Sequence, residues 1–421
     1  MFNQGGLSLE QAPPISVVLR FFVTGALFGV LAGLFLFFAG ERIFDIQSQE
    51  AKIITHALAL GVMASFMLGA LFQMLPVIAG VVLQTPTKKA MFVHVGFALG
   101  VISLLGAFYS ANPTLYLLAA LLLGITLLYA TAIMLLNLFK LQNHSSSSKG
   151  MLFALLGFTV AILLALYLVL ALGGLHNADN YVLVKKAHYS FALFGWVALL
   201  IVSISFQVIE MFYVTPAYPK IISHYFTGTI FTLLLLKSIP FFNTKTNFIT
   251  LFIALSFILY ASFTIHRLYK RKRPTSDATV WLWRFAMGML IVSMLMVIIG
   301  EFSNYSIVSE VSYLTFIYFA LSVVFAMTYK IVPFLVWFHL SNQGYMKAPL
   351  MHDIIHPKRV KMHFYIHVGS FFVWILSLIN PLFFDIASIL VTISFGWLLY
   401  HLIFAIYLYR HIQKHSEKIS W

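Results

Sequence analysis

Long apolar runs separated by short polar loops dominate the chain. A membrane-spanning helix needs about 20 apolar residues. Twelve runs meet this length, near residues 16–40, 51–83, 90–111, 114–139, 151–173, 186–214, 220–242, 246–268, 278–300, 308–338, 360–381 and 385–410. The pattern predicts an all-α polytopic membrane protein with about twelve transmembrane helices. Because the loops are short, we expect residues 1–421 to form a single transmembrane domain.

The charges in the loops predict the orientation of these helices. Every second loop is basic, with Lys88, Lys89, Lys140, Lys149, Lys220, Arg267, Lys270, Arg271, Lys272, Arg273, Lys347, Lys358, Arg359, Lys361, Arg410, Lys414 and Lys418. The alternate loops are acidic, with Glu41, Asp45, Glu50, Asp179, Glu301, Glu310 and Asp385. Lys185 and Lys186 are the exception. Since basic loops stay in the cytoplasm, we expect both termini there.

Composition agrees with a protein that lies mostly in lipid. The chain is 61% hydrophobic and 9% charged, whereas soluble domains carry roughly 25% charged residues. The net charge of +14 follows from the basic loops, so the predicted partner is the lipid bilayer and not nucleic acid. The chain has no cysteine, which excludes disulfides and thiolate metal sites. Any metal or haem would therefore be held by histidine, methionine or oxygen ligands.

Three of the predicted helices carry related sequences. Gly61 and Gln73 in the second have the same spacing as Gly195 and Gln207 in the sixth, and Tyr329-Lys330 takes the corresponding place in the tenth. A repeat every four helices predicts three units, about 16–139, 151–268 and 278–410, around a pseudo-threefold axis. The alternative is chance similarity among apolar helices.

Four polar side chains lie within the three related helices: Gln73, Gln207, Glu210 and Lys330. Such groups are costly in lipid and should face the protein interior or a water-filled cavity. We expect them at one depth near the cytoplasmic side, where Glu210 and Lys330 are able to pair. They either line a path for protons or a small solute, or form a polar clamp between helices.

The second and sixth helices resemble those of a known family. The segments THALALGVMASFMLGALFQMLPVIAG (55–80) and AHYSFALFGW (187–196) are similar to helices 2 and 6 of subunit I of the heme-copper oxidases and nitric oxide reductases. Segments 7–22, 211–219 and 329–340 resemble uncharacterised bacterial inner-membrane proteins. The resemblance implies a heme-copper-oxidase-like bundle in the bacterial inner membrane, with haem or copper as cofactor and respiratory-chain membrane subunits as partners.

The chain departs from that family at its metal ligands. The family's tenth helix supplies two haem ligands, yet residues 308–338 contain no histidine. The family's seventh helix supplies a histidine pair for copper, and here His224 is the single candidate. We therefore expect the oxygen-reducing binuclear site to be absent.

Two sets of histidines remain as candidate ligands. His56 and His188 begin the second and sixth helices, where both imidazoles would meet one haem or copper ion if the two helices face a common centre. The alternative is that each bonds a nearby backbone group. The second set consists of His352, His356, His363 and His367, two pairs at i, i+4 spacing that predict a metal site. A basic segment after Pro357 interrupts this set.

These observations leave three hypotheses of function. The first is a redox, respiratory or nitric-oxide-related inner-membrane protein that binds haem or copper without being a full oxygen-reducing oxidase. The second is a transporter or channel for a small solute or proton. The third is a cofactor-free assembly partner of a respiratory complex. The sequence does not decide whether the protein is an enzyme.

Overall fold

Twelve long helices account for most of the chain. The computed structural model describes residues 9–45, 47–177, 179–239, 246–272, 277–303 and 305–418. The helices are α1 (Ile15–Ala39), α2 (Gln49–Ala79), α3 (Pro86–Ser110), α4 (Pro113–Phe139), α5 (Ser146–Leu172), α6 (Tyr181–Tyr213), α7 (Lys220–Ser238), α8 (Thr246–Tyr269), α9 (Ala278–Gly300), α10 (Ser306–Asn342), α11 (Pro357–Ser377) and α12 (Leu382–His415). The predicted all-α membrane fold is confirmed.

Eleven of these helices are long and apolar enough to cross a membrane, counted over the described residues. The remaining long helix is α11, whose two faces differ. It exposes Met362, Tyr365, Phe372 and Leu376, which recur at helical spacing and form one apolar stripe. Its opposite face buries His363 and His367. The buried histidines and the basic residues at the amino end of α11 lower its average hydropathy, while the rest of its exposed face is apolar.

The chain divides into two compact units. Unit 1 comprises Met1–Ala12, Met74–Thr275 and Ala286–Ala320, and unit 2 comprises Pro13–Gln73, Ser276–Phe285 and Leu321–Trp421. The predicted repeat of four helices stays a prediction.

Small residues bring helices of unit 2 close together. Gly25, Gly29 and Gly33 are spaced four apart on one face of α1, the spacing by which transmembrane helices approach closely. A Cβ at Gly33 would lie 2.7 Å from the backbone nitrogen of Thr392 on α12, and one at Gly25 would lie 2.8 Å from the Phe66 ring on α2. The α1 glycines therefore fix how α12 and α2 pack on α1.

A π-helical segment interrupts both α2 and α6 at matching places. The segments are Ala57–Ala64 in α2 and Phe191–Ala198 in α6. Gly61 and Gly195 each occupy the fifth position. A Cβ on Gly61 would meet the Phe28 ring of α1, and one on Gly157 of α5 would lie 2.7 Å from the carbonyl carbon of Gly195. The sequence similarity of α2 and α6 thus coincides with a shared backbone irregularity, of a kind often found at functional sites.

Candidate functional site: a buried histidine cluster

Three buried histidines of unit 2 lie together on two neighbouring helices. His363 and His367 occupy the inner face of α11, where their i, i+4 spacing aligns them, and His401 lies on α12. Their exposed fractions are 1%, 2% and 0%. Helix α10 contributes Tyr329, whose ring centroid lies 5.5 Å from that of His363 and 6.0 Å from that of His401. Because ionisable side chains within membrane helices are rare and usually functional, this cluster is the candidate site.

His363 connects two hydroxyl groups from different helices. Its Nδ1 is 2.7 Å from the Tyr329 hydroxyl, and its Nε2 is 2.8 Å from the Ser394 hydroxyl on α12. A neutral imidazole donates from one nitrogen and accepts at the other, while a hydroxyl does either. The ring is therefore able to accept a proton on one side and release one on the other.

His367 has a partner of its own. Its Nε2 lies 2.8 Å from the Ser322 hydroxyl of α10. Phe325, also on α10, packs against both α11 histidines, with ring centroids 4.6 Å from that of His363 and 4.9 Å from that of His367. The cluster thus combines hydrogen-bonded rings with tight aromatic packing.

His401 carries a buried polar atom that the described residues do not pair. Its Nδ1 donates to the Trp397 carbonyl oxygen at 2.7 Å, and its Nε2 has no hydrogen-bond partner. In the neutral ring this nitrogen carries a lone pair. An unpaired polar atom inside a bilayer costs several kcal/mol, so this nitrogen is a ready acceptor for a proton, a hydrogen-bond donor or a metal ion.

Lys330, the residue that follows Tyr329 on α10, forms an ion pair beside the cluster. The Lys330 ammonium contacts the Asp277 carboxylate, which also accepts hydrogen bonds from the Thr279 backbone N–H at 2.9 Å and hydroxyl at 2.8 Å. Burial raises the pKa of Asp277, but the Lys330 ammonium and these hydrogen bonds outweigh burial and hold the pKa below its usual value. The sequence leaves Glu210 as a possible partner of Lys330, and the structure pairs Lys330 with Asp277.

Replacing Asp277 by asparagine is expected to destabilise the protein by about 1–3 kcal/mol at neutral pH, because a half-buried ammonium loses its carboxylate. A carboxyl with a lowered folded-state pKa stabilises the fold above its unfolded pKa of about 3.9, and this contribution is lost as the pH falls through the folded-state value. The difference between wild type and Asp277→Asn should therefore be full at pH 6–7 and shrink below about pH 4.

Thermal unfolding across this pH range measures the difference. Asp353→Asn is the matched control, because the Asp353 side chain is 55% exposed. Equal melting temperatures for the two variants at neutral pH would contradict the assigned role of the ion pair.

The other polar residues of the predicted path lie in separate surroundings. Glu210 of unit 1 accepts a hydrogen bond from the Tyr218 backbone N–H at 2.9 Å. Gln73 of unit 2 is 4% exposed, and its Oε1 has no hydrogen-bond partner among the described residues. Gln207 is half-buried in unit 1. Whether these residues line a path or form a clamp stays a prediction.

His56 and His188 are each tied to the backbone of their own unit. His56 Nδ1 donates to the Lys52 carbonyl oxygen at 2.8 Å in unit 2, and His188 Nδ1 donates to the Ala161 carbonyl oxygen at 3.0 Å in unit 1. Both rings are half-buried and close to the π-helical segments. These contacts are those of the backbone-bonding alternative.

The second predicted histidine set separates into two pairs. His352 is exposed beside Asp353, with the two side chains 3.5 Å apart, and His356 begins α11 by accepting from the Lys358 backbone N–H. His363 and His367 are buried in the cluster. Over the described part of the chain, no three histidine, aspartate or glutamate side chains lie close enough together to hold a metal ion.

Single histidines nevertheless have the geometry of haem or copper ligands. A ligating imidazole typically donates through one nitrogen to a carbonyl and binds metal through the other. His56, His188 and His401 all donate from Nδ1 to a backbone carbonyl. Helix α10 ends at Asn342, beyond the predicted 338, and so includes His339, whose Nε2 is also buried and unpaired among the described residues. His401 fits a ligand best, while His363 bonds through both nitrogens.

No protein-family model matches this chain, and no curated protein matches its sequence. The site must therefore be interpreted from its own residues. Sequence reasoning found His363, His367 and Lys330 but overlooked His401 and Asp277. His401 stands alone in an apolar run, and Asp277 precedes α9, so neither forms a local motif. The overlooked signal was that ionisable residues recur within the apolar runs of α10, α11 and α12, namely Tyr329, Lys330, His363, His367 and His401.

Proposed function

We propose that the protein is a membrane transporter or channel that moves protons, alone or coupled to a small solute, through unit 2. The observation that carries the proposal is His363, which bridges the Tyr329 and Ser394 hydroxyls through its two ring nitrogens. Chains of ionisable side chains between helices are typical of proton relays in pumps and transporters.

The chemistry of histidine favours a relay over a clamp. An asparagine or glutamine amide would hold helices together equally well, whereas an imidazole is able to take up a proton at one ring nitrogen and release one from the other. Within the same cluster, the lone pair on His401 Nε2 offers a further proton acceptor. The proton would move between hydroxyl and imidazole groups, each of which gains one proton as it loses another.

The Asp277–Lys330 ion pair would act at one end of this route. Lys330 directly follows Tyr329 on α10, and from the positive-inside rule we expect this end of α10 on the cytoplasmic side. The carboxylate there would offer an oxygen to water, and the ammonium would keep that carboxylate charged.

A proteoliposome assay tests the proposed function. The purified protein is reconstituted into vesicles that contain a pH-sensitive dye, and a potassium diffusion potential is applied. We expect the vesicle interior to change pH faster than in protein-free vesicles, in proportion to the protein added. The same rate in both, under potentials of either sign and over pH 5–8, would contradict proton transport.

Haem or copper binding is a second candidate, favoured by the unpaired Nε2 of His401. A bound haem would supply one-electron chemistry, and His401 would hold it through that nitrogen. The expected result is a Soret band in protein purified from haem-replete cells, lost in His401→Leu and retained in His352→Leu. A colourless protein without copper would contradict this candidate and leave the proton-transport proposal unaffected.

A further inference from the structure

The amino end of α11 combines exposed charge with exposed aromatic surface. Lys358, Arg359 and Lys361 lie within its first five residues and are exposed. We call these three residues the α11 cation cluster. Directly beyond them begins the apolar stripe of Met362, Tyr365, Phe372 and Leu376. Exposed charged residues are thus followed by exposed apolar residues within a single helical turn.

Aromatic rings hold two of the three cations. Lys361 Nζ lies 5.4 Å from the Trp281 ring centroid and 5.8 Å from that of Tyr365. Arg359 Cζ lies 5.7 Å from the Phe404 ring centroid of α12. Tryptophan and tyrosine favour the boundary between lipid and water. These contacts therefore indicate the depth of the cluster in the bilayer and limit the motion of its side chains.

The cluster has no carboxylate to balance it among the described residues. The ion pairs there join Arg42 to Glu50, Lys330 to Asp277 and His352 to Asp353, within 4.0 Å in each case. Asp353, the acidic residue nearest in sequence, also accepts from the Leu350 backbone N–H. Three exposed positive charges that no carboxylate balances attract anions from outside the chain.

We propose that the α11 cation cluster binds the phosphate-bearing headgroup of an anionic phospholipid. The complementary features are positive charge at headgroup depth and an adjoining apolar stripe for the acyl chains. Basic residues beside transmembrane helices attract anionic lipid by about 1 kcal/mol each. A free phosphate ion would contact the cations but not the apolar stripe. A phospholipid would contact both, so the combined surface favours a lipid.

Lipid titration in detergent tests this proposal. The full-length protein in a neutral detergent is titrated with phosphatidylglycerol, with phosphatidylcholine or with inorganic phosphate, and the melting temperature and lipids retained in native mass spectrometry are recorded. We expect phosphatidylglycerol alone to raise the melting temperature. The double variant Arg359→Gln, Lys361→Gln should lower its apparent affinity about tenfold or more, as the loss of two such charges implies.

Lys88→Gln, Lys89→Gln is the matched control, because it removes two charges from another basic loop and should leave the affinity unchanged. An equal loss in both double variants would show attraction by net charge alone and overturn the proposal. Equal stabilisation by inorganic phosphate would overturn the lipid assignment. If the double variant Arg359→Gln, Lys361→Gln fails to fold, two further tests remain. The double variant Arg359→Lys, Lys361→Arg keeps both charges and should bind the lipid as the wild type does. Unchanged lipid binding by the single variants Arg359→Gln and Lys361→Gln would contradict the site.

Discussion

Replacing His363 by leucine is expected to destabilise the protein by about 2–6 kcal/mol. The substitution leaves the Tyr329 and Ser394 hydroxyls buried without their partner, at about 1–3 kcal/mol for each unsatisfied group. Both bonds are short, at 2.7 and 2.8 Å, and the surroundings exclude water because His363 is 1% exposed. Thermal or denaturant unfolding in detergent measures the change.

Glutamine at the same position separates loss of hydrogen bonds from loss of imidazole. The amide donates and accepts, so His363→Gln should retain most of the stability that His363→Leu loses. His352→Leu is the matched control, because His352 is exposed and should change stability by less than about 0.5 kcal/mol. If His363→Leu were as stable as His352→Leu, the bridging role of His363 would be excluded.

Replacing Gly33 by valine is expected to cost about 3 kcal/mol or more, or to prevent folding. A Cβ there would lie 2.7 Å from the Thr392 backbone nitrogen and 2.8 Å from its Cα. Backbone atoms cannot rotate away as a side chain does, so α1 and α12 would have to separate along their shared glycine face. The yield of folded protein and its melting temperature report the effect.

Gly396→Val is the control for this prediction. Gly396 lies on α12, one turn from Thr392, and a Cβ there would meet nothing within 4 Å. The change should therefore stay within about 1 kcal/mol, the range of helix propensity. Similar losses for Gly33→Val and Gly396→Val would mean that helix propensity, and not close packing, accounts for the effect.

The sequence predicted the twelve helices well because a membrane-spanning helix can be recognised from a short stretch of the chain alone. Each needs an uninterrupted apolar run whose length is fixed by the bilayer. The helix predicted at 308–338 extends over Ser306–Asn342 in the structure, and the helix predicted at 385–410 extends over Leu382–His415. Both are longer because the helix continues past the apolar run into its polar flanks. The Gly25–Gly29–Gly33 pattern was visible in the sequence and would have predicted close packing of α1.

The candidate site was harder to predict because it depends on contacts between distant residues. His363 and Ser394 are 31 positions apart, and Lys330 and Asp277 are 53 apart. The i, i+4 spacing correctly placed His363 and His367 on one helix face. The same spacing in His352 and His356 suggested one site for all four histidines, and the structure does not form it. What separated the pairs was Pro357 at the start of α11, which leaves His352 and His356 before the helix and exposed.

Proton flux through proteoliposomes carrying His363→Gln tests the central claim most directly. The variant and the wild type are reconstituted at equal amounts of folded protein, and the rate of the internal pH change is compared under the same potential. We expect the variant to lose at least about a hundredfold in rate, the lower end of the range for removal of a proton-transferring group, while its melting temperature stays near that of the wild type. A wild-type rate in a folded His363→Gln protein would contradict the proton relay and leave His363 as a structural clamp.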